Sequence, residues 1–113
     1  MDSLFSMEEW KDVKGYESLY QVSNLGRVRS LERKTWIRRK ERTFDGVMLK
    51  PILKSTGYYV VSLHRDKVQK QIHIHRLVAE AFCERMDGQD VIDHINTDRT
   101  DNRAENLRWT TPK

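Results

Sequence analysis

Val91-Ile92-Asp93-His94-Ile95, a polar loop Asn96-Thr97-Asp98-Arg99-Thr100-Asp101-Asn102, and then Arg103-Ala104-Glu105-Asn106-Leu107-Arg108-Trp109 form the run that decides how this chain is read. An adjacent Asp and His set a hard anionic oxygen, suited to a divalent cation, beside an imidazole that takes a proton near neutral pH. Phosphodiester hydrolysis needs both in one place: a metal to absorb charge on the phosphate and a base to activate water. Asn106 follows His94 by twelve residues. Its carboxamide can hold the imidazole in one orientation or lend an oxygen to the site. The plain alternative is a hairpin rich in turn-forming residues whose histidine is only surface.

Alternation over Val91–Ile95 marks a strand, with Ile92 and His94 on one face and Asp93 on the other unless the strand bends. Strict alternation would part Asp93 from His94, and a change of direction at the strand end would relieve this. Asp98, Asp101 and Asn102 have the chemistry of Asx-type turn formers that fix loop backbone. Arg99, Arg103 and Arg108 can neutralise phosphates.

Length and charge narrow the field. With 113 residues there is room for one compact domain and a modest core. Charged residues make up 34% and apolar ones 37%, so the surface is highly charged without the composition of a disordered chain. A net charge of +4 favours a polyanionic partner. No apolar run reaches the length of a membrane span and no signal peptide opens the sequence, so a cytoplasmic protein is expected. The single cysteine, Cys83, can form neither an internal disulfide nor a Cys-rich zinc site, and it is expected to fill core space.

Between Trp10 and Leu31 the pattern is strand-like and broken by turns. Tyr20 and Val22 alternate with Gln21 and Ser23 before Asn24-Leu25-Gly26, and Val28 resumes the alternation between Arg27 and Arg29. A hairpin is expected, with Trp10, Tyr16 and Tyr20 in its core and arginines on its open face. Residues 33 to 42 are densely basic and read as a mobile excursion or a long hairpin end, and as a phosphate-binding arm. Gly57 to Leu63 and Gln71 to His75 read as a second hairpin that turns at Arg65-Asp66-Lys67. Leu77, Val78, Ala81 and Phe82 form a helical stripe over 75–84, ending near Gly88. His73 and His75 would share a strand face, but with no third ligand nearby they read as framework. His64 reads as an exposed strand-end residue.

Asp93-His94, the loop through Asn102, and Asn106-Leu107-Arg108-Trp109 together resemble the HNH nuclease motif, in the Asp-His variant of phage and intron-encoded homing endonucleases. His75-Arg76-Leu77-Val78-Ala79-Glu80-Ala81-Phe82 is similar to the short helix that precedes the motif there. The segments Glu9 to Glu17 and Tyr20 to Ser30 are similar to the small nuclease-associated module joined to such domains. The resemblance implies an α+β fold: antiparallel β-hairpins and a short helix leading into a ββα-metal motif. It divides the chain into a β module at 8–33, a basic arm and hairpin for docking at 34–71, and the nuclease motif at 72–113.

The resemblance also implies roles. His94 would be the general base, Asp93 a ligand to one Mg²⁺ or Mn²⁺ ion, and Asn106 the residue that bonds the loop so that His94 points correctly. No structural zinc is expected, since the paired Cys motifs that hold it in many HNH proteins are absent. A further Asn or His, on a helix after the second strand, would complete the metal site beyond Lys113; Thr110-Thr111-Pro112-Lys113 reads as the start of that helix. A truncated or inactive chain, a degenerate nuclease, or a shell completed by water and Asp residues are the three readings of its absence. Arg27, Arg29, Arg33, Arg38, Arg39, Lys40, Arg99, Arg103 and Arg108 are the expected contacts to double-stranded DNA. The expected function is a metal-dependent DNA endonuclease, nicking in one form, acting as a monomer. The alternative is an inactive HNH-like DNA-binding module; a structural RNA-binding protein explains the charge but not Asp93, His94 and Asn106.

Overall fold

The structure, a computed structural model, describes residues 7–112. Its first sheet joins strands β1 (Trp10–Asp12), β2 (Tyr20–Ser23) and β3 (Val28–Ser30), all antiparallel. Alternation within β2 turns Tyr20 and Val22 inward, where they meet Val28 from the neighbouring strand. Tyr16 packs on Tyr20 edge-to-face, with ring centroids 5.8 Å apart. Trp10 departs from its expected core place. It lies 3.9 Å beneath the Arg29 guanidinium, so its ring serves as a platform for the arginines.

The basic segment is an ordered ribbon. Strands β4 (Arg33–Ile37) and β5 (Lys40–Phe44) pair only with each other, and every residue in them is exposed. Arg38 and Arg39 make the connection at φ 52° and 66°, the left-handed backbone of a tight hairpin turn. Like charges here point outward into water, so repulsion does not prevent the backbone ladder from closing.

A short strand β6 (Ile52–Leu53) flanks the hairpin of β7 (Tyr59–Arg65) and β8 (Val68–His73), with Asp66 and Lys67 at positive φ in the turn. Helix α1 (Ile74–Phe82) follows directly. It starts one residue earlier than expected and stops before Glu84, with Cys83 as its C-cap. Consequently His73 closes a strand while His75 stands in the first helical turn, and the two do not share a strand face. Ile74, Leu77 and Val78 of α1 meet Tyr20, Val22 and Val28 of the first sheet, Val61 and Leu63 of β7, and Leu107 in one core.

The last hairpin pairs β9 (Val91–His94) with β10 (Leu107–Thr110). It is fastened to α1 at two points. The Trp109 indole donates to the Ala79 carbonyl at 3.2 Å, and the Cys83 thiol lies 3.5 Å from the Leu107 carbonyl. Cys83 therefore packs as expected and adds a weak polar tie. The expected helix start at Thr110–Lys113 is not seen: Thr110 ends β10, Thr111 and Pro112 are irregular, and Lys113 lies outside the described residues. Among the described residues no helix is long and apolar enough to cross a membrane.

Candidate active site

The β9–β10 ladder runs without a bulge, pairing Leu107 with His94 and Arg108 with Asp93. Alternation therefore holds through the strand end. His94 turns inward, 7% exposed, while Asp93 lies on the other face.

Inside, the His94 Nε2–H donates to Asn102 Oδ1 at 2.9 Å. An amide oxygen only accepts, so this bond places the proton on Nε2 and leaves the lone pair on Nδ1. The His94 ring also lies 5.2 Å from the His75 ring and 5.8 Å from the Tyr58 ring. His75 has a buried Nδ1 without a hydrogen-bond partner among the described residues. Burial, with lesser repulsion from His94, His73 and Arg76, pushes its pKa down to about 4, so it stays neutral beside His94. Arg99 caps the group: its guanidinium lies 5.1 Å from the Tyr58 ring and donates to the Thr56 carbonyl.

Asn106 does not touch His94. Its Oδ1 accepts from the Asn96 backbone N–H, and its Nδ2 donates to Asn96 Oδ1 and to the Asp101 carbonyl, at 2.9–3.0 Å. It clips the loop shut. Asp98 accepts from the backbone N–H and hydroxyl of Thr100, and Asp101 is held by Arg103 and Asn96. The Arg103 hydrogen bond is the main reason that Asp101 titrates at about 2. Both acids are turn formers, as their residue types suggested. Asn102 is the residue that sequence reasoning undervalued. It reads as loop backbone chemistry, yet its carboxamide hydrogen-bonds the buried His94 ring; a polar partner for a buried imidazole was the signal to look for.

Outside, Asp93 Oδ2 lies 3.0 Å from the Arg108 guanidinium. Among the described residues no group of three or more His, Cys, Asp or Glu side chains is placed to hold a metal ion. The donor that is present fits a hard divalent cation as a single ligand: an anionic oxygen, half exposed, on the open face. Other expected DNA contacts divide into two sets. Arg27 pairs with Glu8, Arg29 with Gln21, Arg99 with Thr56 and Arg103 with Asp101. Arg33, Arg38, Arg39 and Lys40 stand on the exposed ribbon and its turn, with no ion pair among the described residues.

His94, held by Asn102 on the inner side of β9, and Asp93, paired with Arg108 on its outer side, stand above a loop clipped by Asn106. The NUMOD4 motif matches residues 8–64 and the HNH endonuclease family matches residues 73–113. DNA endonuclease I-HmuI of Bacillus phage SP01 is 39% identical over 105 residues, covering 93% of this chain and 53% of that protein. An uncharacterized HNH endonuclease of Acanthamoeba polyphaga mimivirus is 37% identical over 109 residues, covering 92% of this chain and 24% of its own length. The solved structure described as DNA binding and cleavage by the HNH homing endonuclease I-HmuI superposes with a TM-score of 0.73 at 39% identity. That match covers 91% of this chain and 52% of the other. The chain belongs to the HNH homing endonuclease family, in the form that carries a NUMOD4 module ahead of the nuclease motif. It spans about half the length of I-HmuI.

Proposed function

We propose that this chain binds double-stranded DNA and hydrolyses its phosphodiester bonds with the help of a divalent cation, cutting one strand at a time. The observation that carries the proposal is His94 itself: buried, with Nε2–H held by Asn102 and Nδ1 left as the base. In this reading Nδ1 takes a proton from water as the oxygen attacks phosphorus, and the bond to the 3′ oxygen breaks. The rings of His75 and Tyr58 pack beside the base and limit water around it, and Asn106 keeps the loop from opening. Asp93 would hold a Mg²⁺ or Mn²⁺ ion, which when bound would supply positive charge to the phosphate and the leaving oxygen. Arg108 engages Asp93 through Oδ2, where it would compete with the ion, and a DNA phosphate is an alternative acceptor for that guanidinium. The three segments 8–33, 34–71 and 72–113 then act as buttress, docking surface and catalytic motif.

Supercoiled plasmid with Mg²⁺ or Mn²⁺ tests the reading. Nicked circles are expected, with loss of cleavage in EDTA and in His94→Gln. Because His94 is buried, circular dichroism must show the variant folded. Equal cleavage by a folded His94→Gln and the parent chain removes His94 as the base. Tight DNA binding without cleavage under any divalent cation favours the second reading, an inactive DNA-binding module.

A further inference from the structure

A single hydrogen bond fixes a point on a ring and not its plane. Asn102 holds Nε2 of His94, yet the imidazole can still pivot about that contact and carry Nδ1 with it. Contacts with the ring faces and edges remove this freedom. Two rings make them, His75 at 5.2 Å and Tyr58 at 5.8 Å between centroids. His75 comes from the first turn of α1, and its buried Nδ1 has no hydrogen-bond partner among the described residues. Packing, rather than a bond at that atom, therefore sets its place, and Tyr58 supplies the packing. The Tyr58 ring lies 5.0 Å from His75 and 5.7 Å from His73. Aromatic pairs attract over about 4.5–7 Å.

Tyr58 stands outside the HNH-matched residues 73–113 and inside the NUMOD4-matched residues 8–64. It directly precedes β7. The next residue, Tyr59, packs against the hydrophobic core, so alternation sends Tyr58 to the opposite side, where the histidines are. The turn ahead of it is closed twice: the Gly57 N–H donates to the Lys54 carbonyl and the Lys54 N–H to the Tyr58 carbonyl, both at 2.9 Å. Gly57 holds φ at +90°, a backbone that strains any side chain. Arg99 braces the turn from the nuclease loop. It donates to the Thr56 carbonyl at 2.7 Å, and its guanidinium lies 5.1 Å from the centre of the Tyr58 ring.

Resting on the reading that His94 is the base of a DNA-cleaving site, we propose that Tyr58 is a positioning residue for His94, brought to the nuclease motif by the N-terminal segment. Its ring, braced by Arg99, backs both His75 and His94 and holds the imidazole plane at the angle that aims Nδ1 at the attacking water. The ring performs this and not the hydroxyl, since the contacts with all three histidines run through the ring. The unit that performs cleavage is thus larger than residues 73–113.

Three variants of the full chain test this. Tyr58→Leu keeps an apolar side chain and removes the ring. It is expected to lower the single-turnover cleavage rate by about ten- to hundred-fold, as a base misplaced by about 1 Å would, with DNA affinity in EDTA unchanged. Tyr58→Phe is expected to cleave like the parent chain. Gly57→Ala keeps the ring but shifts the turn, its Cβ meeting Arg99 Cδ at 3.4 Å, and is expected to fall between the two. Relaxation of the His94 ring carbons, read by NMR, needs neither DNA nor cleavage. The ring should be rigid in the parent and in Tyr58→Phe, and mobile in a Tyr58→Leu that circular dichroism shows to be folded. Parental cleavage or a rigid His94 ring in that variant overturns the proposal. So do equal losses of affinity and cleavage, which make Tyr58 a DNA contact, and a full loss in Tyr58→Phe, which makes the hydroxyl the active group. Where Tyr58→Leu does not fold, Gly57→Ala decides, and parental cleavage with a rigid ring overturns the proposal. A parent chain that binds DNA without cutting it removes the reading of His94 as base, while the relaxation measurement still decides whether Tyr58 holds the ring.

Discussion

At the scale of single residues, the bond from His94 to Asn102 is the contact on which activity should turn. Removing the acceptor in Asn102→Ala frees the imidazole to adopt the wrong tautomer. A fall in cleavage rate of about a hundred-fold is expected, with DNA affinity unchanged. Asn102→Asp separates orientation from bulk. It keeps the acceptor and adds a negative charge, which stabilises the imidazolium, so the rising limb of the pH–rate profile should move to higher pH. A profile that stays in place means that Asn102 is only a loop residue. Arg108 gives a second residue-scale prediction. Its pair with Asp93 is half exposed and screened, so Arg108→Ala should tighten Mn²⁺ binding in the absence of DNA by only about two- to five-fold. Electron paramagnetic resonance reads the free Mn²⁺ directly, and unchanged affinity would show that the ion pair does not compete with the metal.

Elements add effects that no one residue carries. The turn of the ribbon presents Arg38, Arg39 and Lys40 together. Replacing all three by Ala should flatten the log–log salt dependence of DNA affinity by about two to three units, at about 0.9 per phosphate. All sequences should weaken alike, because phosphate contacts carry no base information. A triple variant with the parental salt slope makes the turn a solvated surface. The first turn of α1 sets a different property through His75. Its folded pKa of about 4 lies below the ordinary 6.5, so the unfolded chain takes up this proton first. Stability is therefore expected to fall as pH drops from 6.5 toward 4. His75→Gln should flatten that limb in urea unfolding curves recorded across the range; an unaltered slope would assign the loss to other groups.

Across the whole molecule, the turn between β2 and β3 is built into the loop that carries Asn102, the partner of His94. The Ala104 N–H donates to the Asn24 carbonyl at 2.7 Å, and a Cβ on Gly26 would sit 3.0 Å from the Asn102 carbonyl oxygen. Gly26 also holds φ at +89°, where a side chain is strained. The turn between β2 and β3 thus rests on the loop that carries the orienting Asn102. Gly26→Ala is expected to destabilise the fold by about 1–3 kcal/mol. It should also lower cleavage more than it lowers DNA affinity, since it pushes on the loop and not on the ribbon. Thermal melts with binding and cleavage assays on one preparation check this; equal losses in binding and cleavage would mean general unfolding.

Much of this was legible beforehand because it is local. Alternation in Tyr20–Ser23 and Val91–His94 specifies strands, the Leu77, Val78, Ala81 and Phe82 stripe specifies the helix, and Asp93, His94 and Asn106 keep a recognisable spacing. Turn chemistry in Asp98 and Asp101 was readable for the same reason: each bonds to backbone within two residues. Tertiary structure decided what depends on partners distant in sequence or on register. It took Trp10 out of the core and set it under Arg29, and it started the helix at Ile74, so that His73 and His75 do not share a strand face. It also gave Asn102 to His94 and Arg108 to Asp93. A sequence lists which donors and charges exist; which of them meet depends on strand pairing and on the core that forces His94 inward, and those are properties of the folded chain.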